Sequence, residues 1–156
     1  MANCYIDLVR LGTVIALALV AAPASAQTIG AATNLSFGSF LAGSGGSVVM
    51  STGGARSQTG GVLLVGQGSG VAAAQFTVVG TANATYSITL PLNNTVVLSD
   101  GNGHTMTVNS FVSSPAVTGT LSGGGNQVVR IGATLIVGPN QPPGSYAGAF
   151  NLTVNY

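Results

Sequence analysis

GSYAGAFNLTVNY, Gly144 to Tyr156, is the stretch on which the fold of this chain turns. Tyr146, Gly148, Phe150, Leu152, Val154 and Tyr156 fall on one side of an extended backbone. Ala147, Ala149, Asn151, Thr153 and Asn155 fall on the other. Successive side chains of a β-strand point to opposite faces, so a period of two marks a strand with one buried face. Residues 144–156 therefore predict one strand of roughly 40 Å at about 3.3 Å per residue, longer than the usual five or six residues.

The same period recurs upstream. Ile88 and Leu90 alternate with Ser87 and Thr89, Met106 and Val108 with Thr105, Thr107 and Asn109, and Phe76 and Val78 with Gln75, Thr77 and Val79. Val, Ile, Thr, Tyr and Phe suit a pleated, half-buried surface. Turn signals separate the runs: Gly43–Gly46, Gly53-Gly54, Gly60-Gly61, Gly66–Gly70, Asp100–Gly103, Gly123–Gly125 and Pro139–Gly144. Asp-Gly and Asn-Gly readily take the positive φ that hairpin turns demand. Strands are expected near 33–41, 46–51, 61–66, 72–80, 84–90, 94–99, 104–113, 117–121, 127–137 and 144–156, eight or nine in all where neighbours merge. Short strands with Gly-rich turns and no helix-period segment predict an all-β domain, a sandwich or a barrel.

The first residues point to export. Arg10, partly offset by Asp7, precedes the uncharged apolar run Leu11–Ala22. Pro23 breaks the run, and Ala24-Ser25-Ala26 follows. This is the order of a secretory signal, and the apolar run is too short for a transmembrane helix. The expectation is a signal helix over residues 1–26 and a single domain over 27–156. Ala24 and Ala26 would be the small residues read at cleavage, and Gln27 the first mature residue. Such a chain resides in the periplasm, at the cell surface or outside the cell, with no membrane span of its own. Cys4 leaves with the signal, so the mature chain would hold neither thiol nor disulfide.

From Gln27 onward the only formal charges on side chains are Arg56, Arg130 and Asp100. Nucleic-acid binding needs clustered Lys and Arg, so that class of partner is excluded. So neutral a surface offers little charge repulsion against self-association. Catalysis needs converging nucleophilic or titratable groups. Here the single His104 and Asp100 flank a tight turn, and no serine lies in a G-x-S-x-G elbow. Asp100-Gly-Asn-Gly103 carries too few carboxylates for calcium, and Gly66–Gly70 lacks the spacing and following helix of a phosphate cradle. No enzyme, catalytic residue, metal or cofactor is expected. The Asn-x-Ser/Thr triplets at Asn34, Asn83, Asn93 and Asn151 are what so Asn- and Thr-rich a chain produces by chance.

Several blocks in fixed order carry a resemblance. They are Leu35–Phe40 (LSFGSF), the Val-rich 45–50, Gly60–Leu64 (GGVLL), Gln75–Gly80 (QFTVVG), Ala84–Pro91 (ATYSITLP), Ile131–Gly138 (IGATLIVG), Gln141–Tyr146 (QPPGSY) and Phe150–Tyr156 (FNLTVNY). Together they resemble the DUF4402 family of exported Gram-negative proteins, whose function is not defined. The C-terminal block is also similar to the ends of spore coat protein U-like and chaperone–usher pilin subunits, in which a glycine precedes an alternating strand and a terminal tyrosine. The pilin resemblance implies an immunoglobulin-like sandwich that lacks one strand. A periplasmic chaperone first fills the gap, and then the N-terminal extension of a like subunit replaces it. Gly144, Tyr146, Gly148, Phe150, Leu152, Val154 and Tyr156 would then form the strand-addition edge, with Ile29, Ala31 and Thr33 the donor face. Only Gln27–Asn34 precedes Leu35, a short and weakly apolar donor, and the disulfide of some pilins is missing.

Three functional readings stand on this sequence. One is a fimbria-like or coat-like structural subunit completed by a partner's strand. Another is a self-contained periplasmic or secreted sandwich that binds a ligand or partner through its loops. The third is a small outer-membrane barrel, for which the alternating C-terminus ending in Tyr156 also speaks.

Overall fold

A computed structural model describes residues 28–66 and 70–156, and every helix or strand element among them is a strand. The expected signal peptide and cleavage residues Ala24, Ala26 and Gln27 lie outside the described residues. In chain order the strands are β1 Thr28–Thr33, β2 Ser36–Phe37, β3 Phe40–Leu41, β4 Gly46–Met50, β5 Arg56–Gly60, β6 Leu63–Leu64 and β7 Val71–Ala72. They continue as β8 Ala74–Val79, β9 Thr85–Thr89, β10 Val96–Ser99, β11 Thr105–Ser114, β12 Thr118–Thr120, β13 Asn126–Val137 and β14 Thr153–Asn155.

β13 is the spine of a seven-stranded antiparallel sheet. One of its edges ladders to β11 from Arg130 to Ile136, with one bulge on the β11 side. The other ladders first to β8, from Asn126 to Ile131, and then to β4, from Ala133 to Val137. The change of partner falls at Gly132, where a Cβ would collide with the Met50 carbonyl oxygen, so only glycine lets both neighbours reach the spine. β10 lies beyond β11, β1 beyond β8, and β5 beyond β4. Val129, Ile131, Ala133, Leu135 and Val137 are all buried, as a period of two predicts.

The second layer is assembled from smaller pieces. β9 lies between β12 and β14, while β2 pairs with β7 and β3 with β6. Tyr86, Ile88 and Leu121 meet Ala74, Val78, Val129 and Ile131 in one buried cluster. Phe37 and Val62 meet Val48, Met50, Val96, Met106, Val108 and Leu135 in another. Leu35, Phe111 and Phe150 touch both clusters. Each aliphatic side chain fully buried this way is worth about 1.5–3 kcal/mol. Among the described residues the large sheet ends on β1, β5 and β10 without closing on itself. The architecture is thus a sandwich and not the closed barrel that the C-terminal pattern also allowed.

The expected strands at 46–51, 72–80, 84–90, 94–99, 104–113, 117–121 and 127–137 appear as β4, β8, β9, β10, β11, β12 and β13. Others need correction. The run 33–41 is broken into β2 and β3 at Gly38, whose φ of 67° leaves the extended region, and 61–66 shrinks to β6. β5 was not expected, because RSQTG has no apolar residue and forms a solvent-facing edge. The largest correction concerns 144–156, which is not one strand. Only Thr153–Asn155 ladders, to β9, and upstream a single bridge joins Ala147 to Ser99 at the edge of β10. This segment crosses from one layer to the other, and no single ladder can follow it across.

Candidate functional site

The crossing leaves an opening in the second layer. A cleft of about 1110 Å³ runs between residues 31–42 on one side and 141–150 on the other. Its floor is the inner face of the large sheet: Phe76, Leu98, Met106, Phe111 and Leu135.

Phe111 reaches the floor through a bulge. Met106 and Val108 point inward with even numbers, but the register of β11 slips between Asn109 and Val112. Ser110 takes a φ of 50° there. One extra residue reverses the alternation and turns Phe111 toward the core, the re-aiming that bulges commonly perform. Two asparagines hold the slip in place. The Ser110 amide donates to Asn93 Oδ1 at 2.8 Å, and the Asn94 amide donates to Asn109 Oδ1 at 2.7 Å. Phe111 then meets Phe150 with ring centroids 5.2 Å apart, and Phe150 meets Phe76 edge-on at 6.0 Å.

One wall is the strap formed by β2 and β3, and a single arginine fastens it. Arg56 Nη1 donates to the carbonyls of Phe37 (2.8 Å) and Ser39 (2.9 Å). Its Nη2 donates to those of Val65 (3.2 Å) and Gly66 (2.9 Å). The planar guanidinium fork joins two backbone segments that share little ladder of their own.

The other wall is the C-terminal segment, clasped by Gln141 and Tyr146. Gln141 Nε2 donates to Tyr146 Oη at 2.9 Å and to the Thr105 carbonyl at 3.3 Å, while Tyr146 Oη donates to the Pro142 carbonyl at 2.8 Å. Gly148 lies so close to β10 that a Cβ would strike the Val97 carbonyl oxygen. Among the described residues no Asp, Glu, His, Lys or Arg lines the cleft.

The residues expected to share one edge have different fates. Tyr146, Phe150, Leu152 and Val154 are half-buried and pack on the core. Gly144 is exposed beside the Asp100 side chain, and Gly148 is exposed against β10. Tyr156 is 45% exposed and tilts against Tyr86, centroid to centroid 5.8 Å. Burial, and then the neighbouring Tyr156, pushes the Tyr86 phenol above its usual 10.0.

The donor residues lie on the chain's own β8, opposite Val78, Phe76 and Gln75. Ile29 and Ala31 share the inner face. A bulge between Ala31 and Thr33 shifts the register, so the three do not form a single regular row.

Asp100 and His104 do meet, within a surface turn. Asp100 Oδ1 accepts the amides of Asn102 (2.8 Å) and His104 (3.1 Å), and Oδ2 lies 2.7 Å from His104 Nδ1. The His104 bond is the main cause that lowers the Asp100 carboxyl to about 2, and the two amides reinforce it against partial burial. The pair closes the β10–β11 hairpin. Among the described residues no group of three or more His, Cys, Asp or Glu could hold a metal. No helix among them is long and apolar enough to cross a membrane.

The sequence blocks that build both walls and the floor match a family model, Domain of unknown function (DUF4402), over residues 27–156. The chain belongs to the DUF4402 family. No curated protein and no solved structure matches it. For this DUF4402 domain, the functional reading therefore rests on the geometry of its own cleft.

Sequence reasoning missed Arg56, the asparagine-held bulge and the floor residues Leu98, Met106 and Phe111. The one available signal was Phe111 itself, an aromatic out of phase with Met106 and Val108.

Proposed function

We propose that this DUF4402 protein is a non-enzymatic, exported structural subunit of a fimbria-like or coat-like surface assembly. In this reading an extended strand from a partner fills the cleft beside residues 144–152, first from a periplasmic chaperone and then from a like subunit. The observation that carries it is the interrupted second layer. Between Tyr146 and Thr153 the C-terminal segment makes one bridge among the described residues, at Ala147, while core side chains such as Met106 and Leu135 line the cleft beside it. Unpaired main chain beside an apolar floor is the arrangement that strand addition uses: the ladder supplies affinity and alternate side chains supply selectivity. The neutral lining favours an uncharged strand.

The test compares unboiled and boiled cell-envelope samples of the wild type and of Ala149→Arg on an SDS gel. Ala149 is exposed on the cleft wall, so the variant adds a charge where the lining has none and leaves the core untouched. A wild-type ladder that collapses on boiling and is lost in Ala149→Arg supports the proposal. A ladder that persists in the variant removes the cleft from assembly. A single band at the monomer position in every lane leaves the second reading, favoured by the size and neutrality of the cleft: a self-contained sandwich that takes an uncharged apolar ligand.

A further inference from the structure

The first strand is held differently from every strand of the core. β1 occupies the edge of β8 through an antiparallel ladder running from Thr28 opposite Val79 to Thr33 opposite Gln75. Five of its six residues are exposed and the sixth, Thr33, is only half-buried. Ile29 and Ala31 point to the inner face, yet the second layer does not cover them, and Ile29 stays 42% exposed. β1 is therefore attached by main-chain bonds and not by buried side chains. β8 is the opposite case, with Ala74 and Val78 buried and its second edge laddered to β13.

Edge strands of stable monomers are usually guarded by charge or proline. Neither Thr28–Thr33 (TIGAAT) nor Ala74–Val79 (AQFTVV) contains a charged residue or a proline. The link out of β1 is short as well. Asn34 and Leu35 alone separate it from β2 in the second layer, and Leu35 is anchored in both core clusters. Three Cα steps reach at most about 10–11 Å, which is the spacing of two packed sheets. A connection with so little slack favours exchange of the strand it tethers.

We infer that the β8 edge is a second assembly site, and that its occupant in the assembled state is β1 of another copy of this chain. The structure already contains the segment that fits this edge, with its register and its bulge between Ala31 and Thr33. A second copy brings the same segment, so β1 can leave one β8 and pair with the next while every ladder bond is remade. The site adjoins the cleft at Ala31 and Phe76, but it is a different edge: β1 ladders along β8, on the far side of that strand from β13.

Cysteine trapping tests the exchange. Two full-length chains, each with Cys4→Ser, carry Gly30→Cys in one and Thr77→Cys in the other, and one bears a longer tag. Gly30 and Thr77 are ladder partners. After incubation of the mixture at high concentration and oxidation, a non-reducing gel should show a reducible heterodimer that increases with concentration. It should exceed by at least tenfold the product obtained when Thr59→Cys, on the distant β5 edge, replaces Thr77→Cys. The pair Thr28→Cys and Val79→Cys repeats the test should the first pair fold or bond poorly. A heterodimer no stronger than the control in both pairs overturns the inference, whether or not the corresponding double variants close a disulfide within one chain. A strand that enters the cleft is not paired with β8, so a failed trap leaves the cleft proposal standing, and loss of the ladder in Ala149→Arg leaves this one standing.

Discussion

The two halves of the second layer cover the same large sheet by different means. Over Val129 and Ile131, β9 is laddered on both edges, and Tyr86, Ile88 and Leu121 are buried beneath it. Over Met106 and Leu135 the cover is a strap of two-residue strands and a C-terminal crossing with one bridge. There, side chains replace the ladder: Arg56 holds four carbonyls, and Gln141 and Tyr146 clasp the turn. A wall made of main-chain ladder is closed by its own geometry. A wall fastened by a few side chains can stand apart from its neighbour, and the cleft is the space this leaves.

The comparison can be broken most forcefully in the core. Ile131→Ala, in the closed half, should cost about 2–5 kcal/mol, because a sealed site keeps its cavity. Met106→Ala, on the cleft floor, should cost about 2 kcal/mol, at the bottom of the same range, because its cavity opens to solvent. Urea midpoints of the two variants measure the difference, and equal shifts would mean that the halves are equally sealed.

A smaller effect sharpens the contrast between fastenings. Arg56→Ala should lose about 2 kcal/mol, the usual worth of hydrogen bonds from a charged group. It should also open the strap at residues 36–41 to proteolysis while β9 and β12 stay protected. Arg56→Lys keeps the charge but not the fork, and should recover less than half of the loss in thermal melts.

The smallest effect concerns the Asp100 turn next to Gly144. The folded carboxyl titrates at about 2 against an ordinary 3.8, so it is depressed in the folded state. Its contribution is therefore present above pH 3.8 and is lost as pH falls through about 2. Asp100→Asn should flatten that acid limb in melts recorded from pH 5 to about 2 and leave the neutral-pH midpoint only slightly lowered.

What the sequence disclosed follows the same division. β13 and the first half of β11 are legible because alternation of Val, Ile and Leu with polar residues reports one buried face directly. The C-terminal segment shows the limit of that signal. Tyr146, Phe150, Leu152 and Val154 do point inward, but alternation says which side chains are buried and nothing about which strand pairs with the backbone. A layer crossing therefore reads as one continuous strand. β5 carries no apolar period, and in the strap the alternation of Leu35 and Phe37 stops at Gly38; their stability comes from an edge ladder and from Arg56. The cleft was illegible for a further reason: its walls, 31–42 and 141–150, stand at opposite ends of the domain, and a gap between distant segments leaves no mark on either.

The double-edged pairing of β13 has a mechanical consequence. Under tension along the chain, a strand bonded on both sides moves only after ladders on both of its edges give way. β14, paired over Thr153–Asn155 alone, unzips one bond at a time, and β1 peels from a single edge. A filament of such units would yield first at these outer strands, which re-form when the load is released, while the spine keeps the folded body intact.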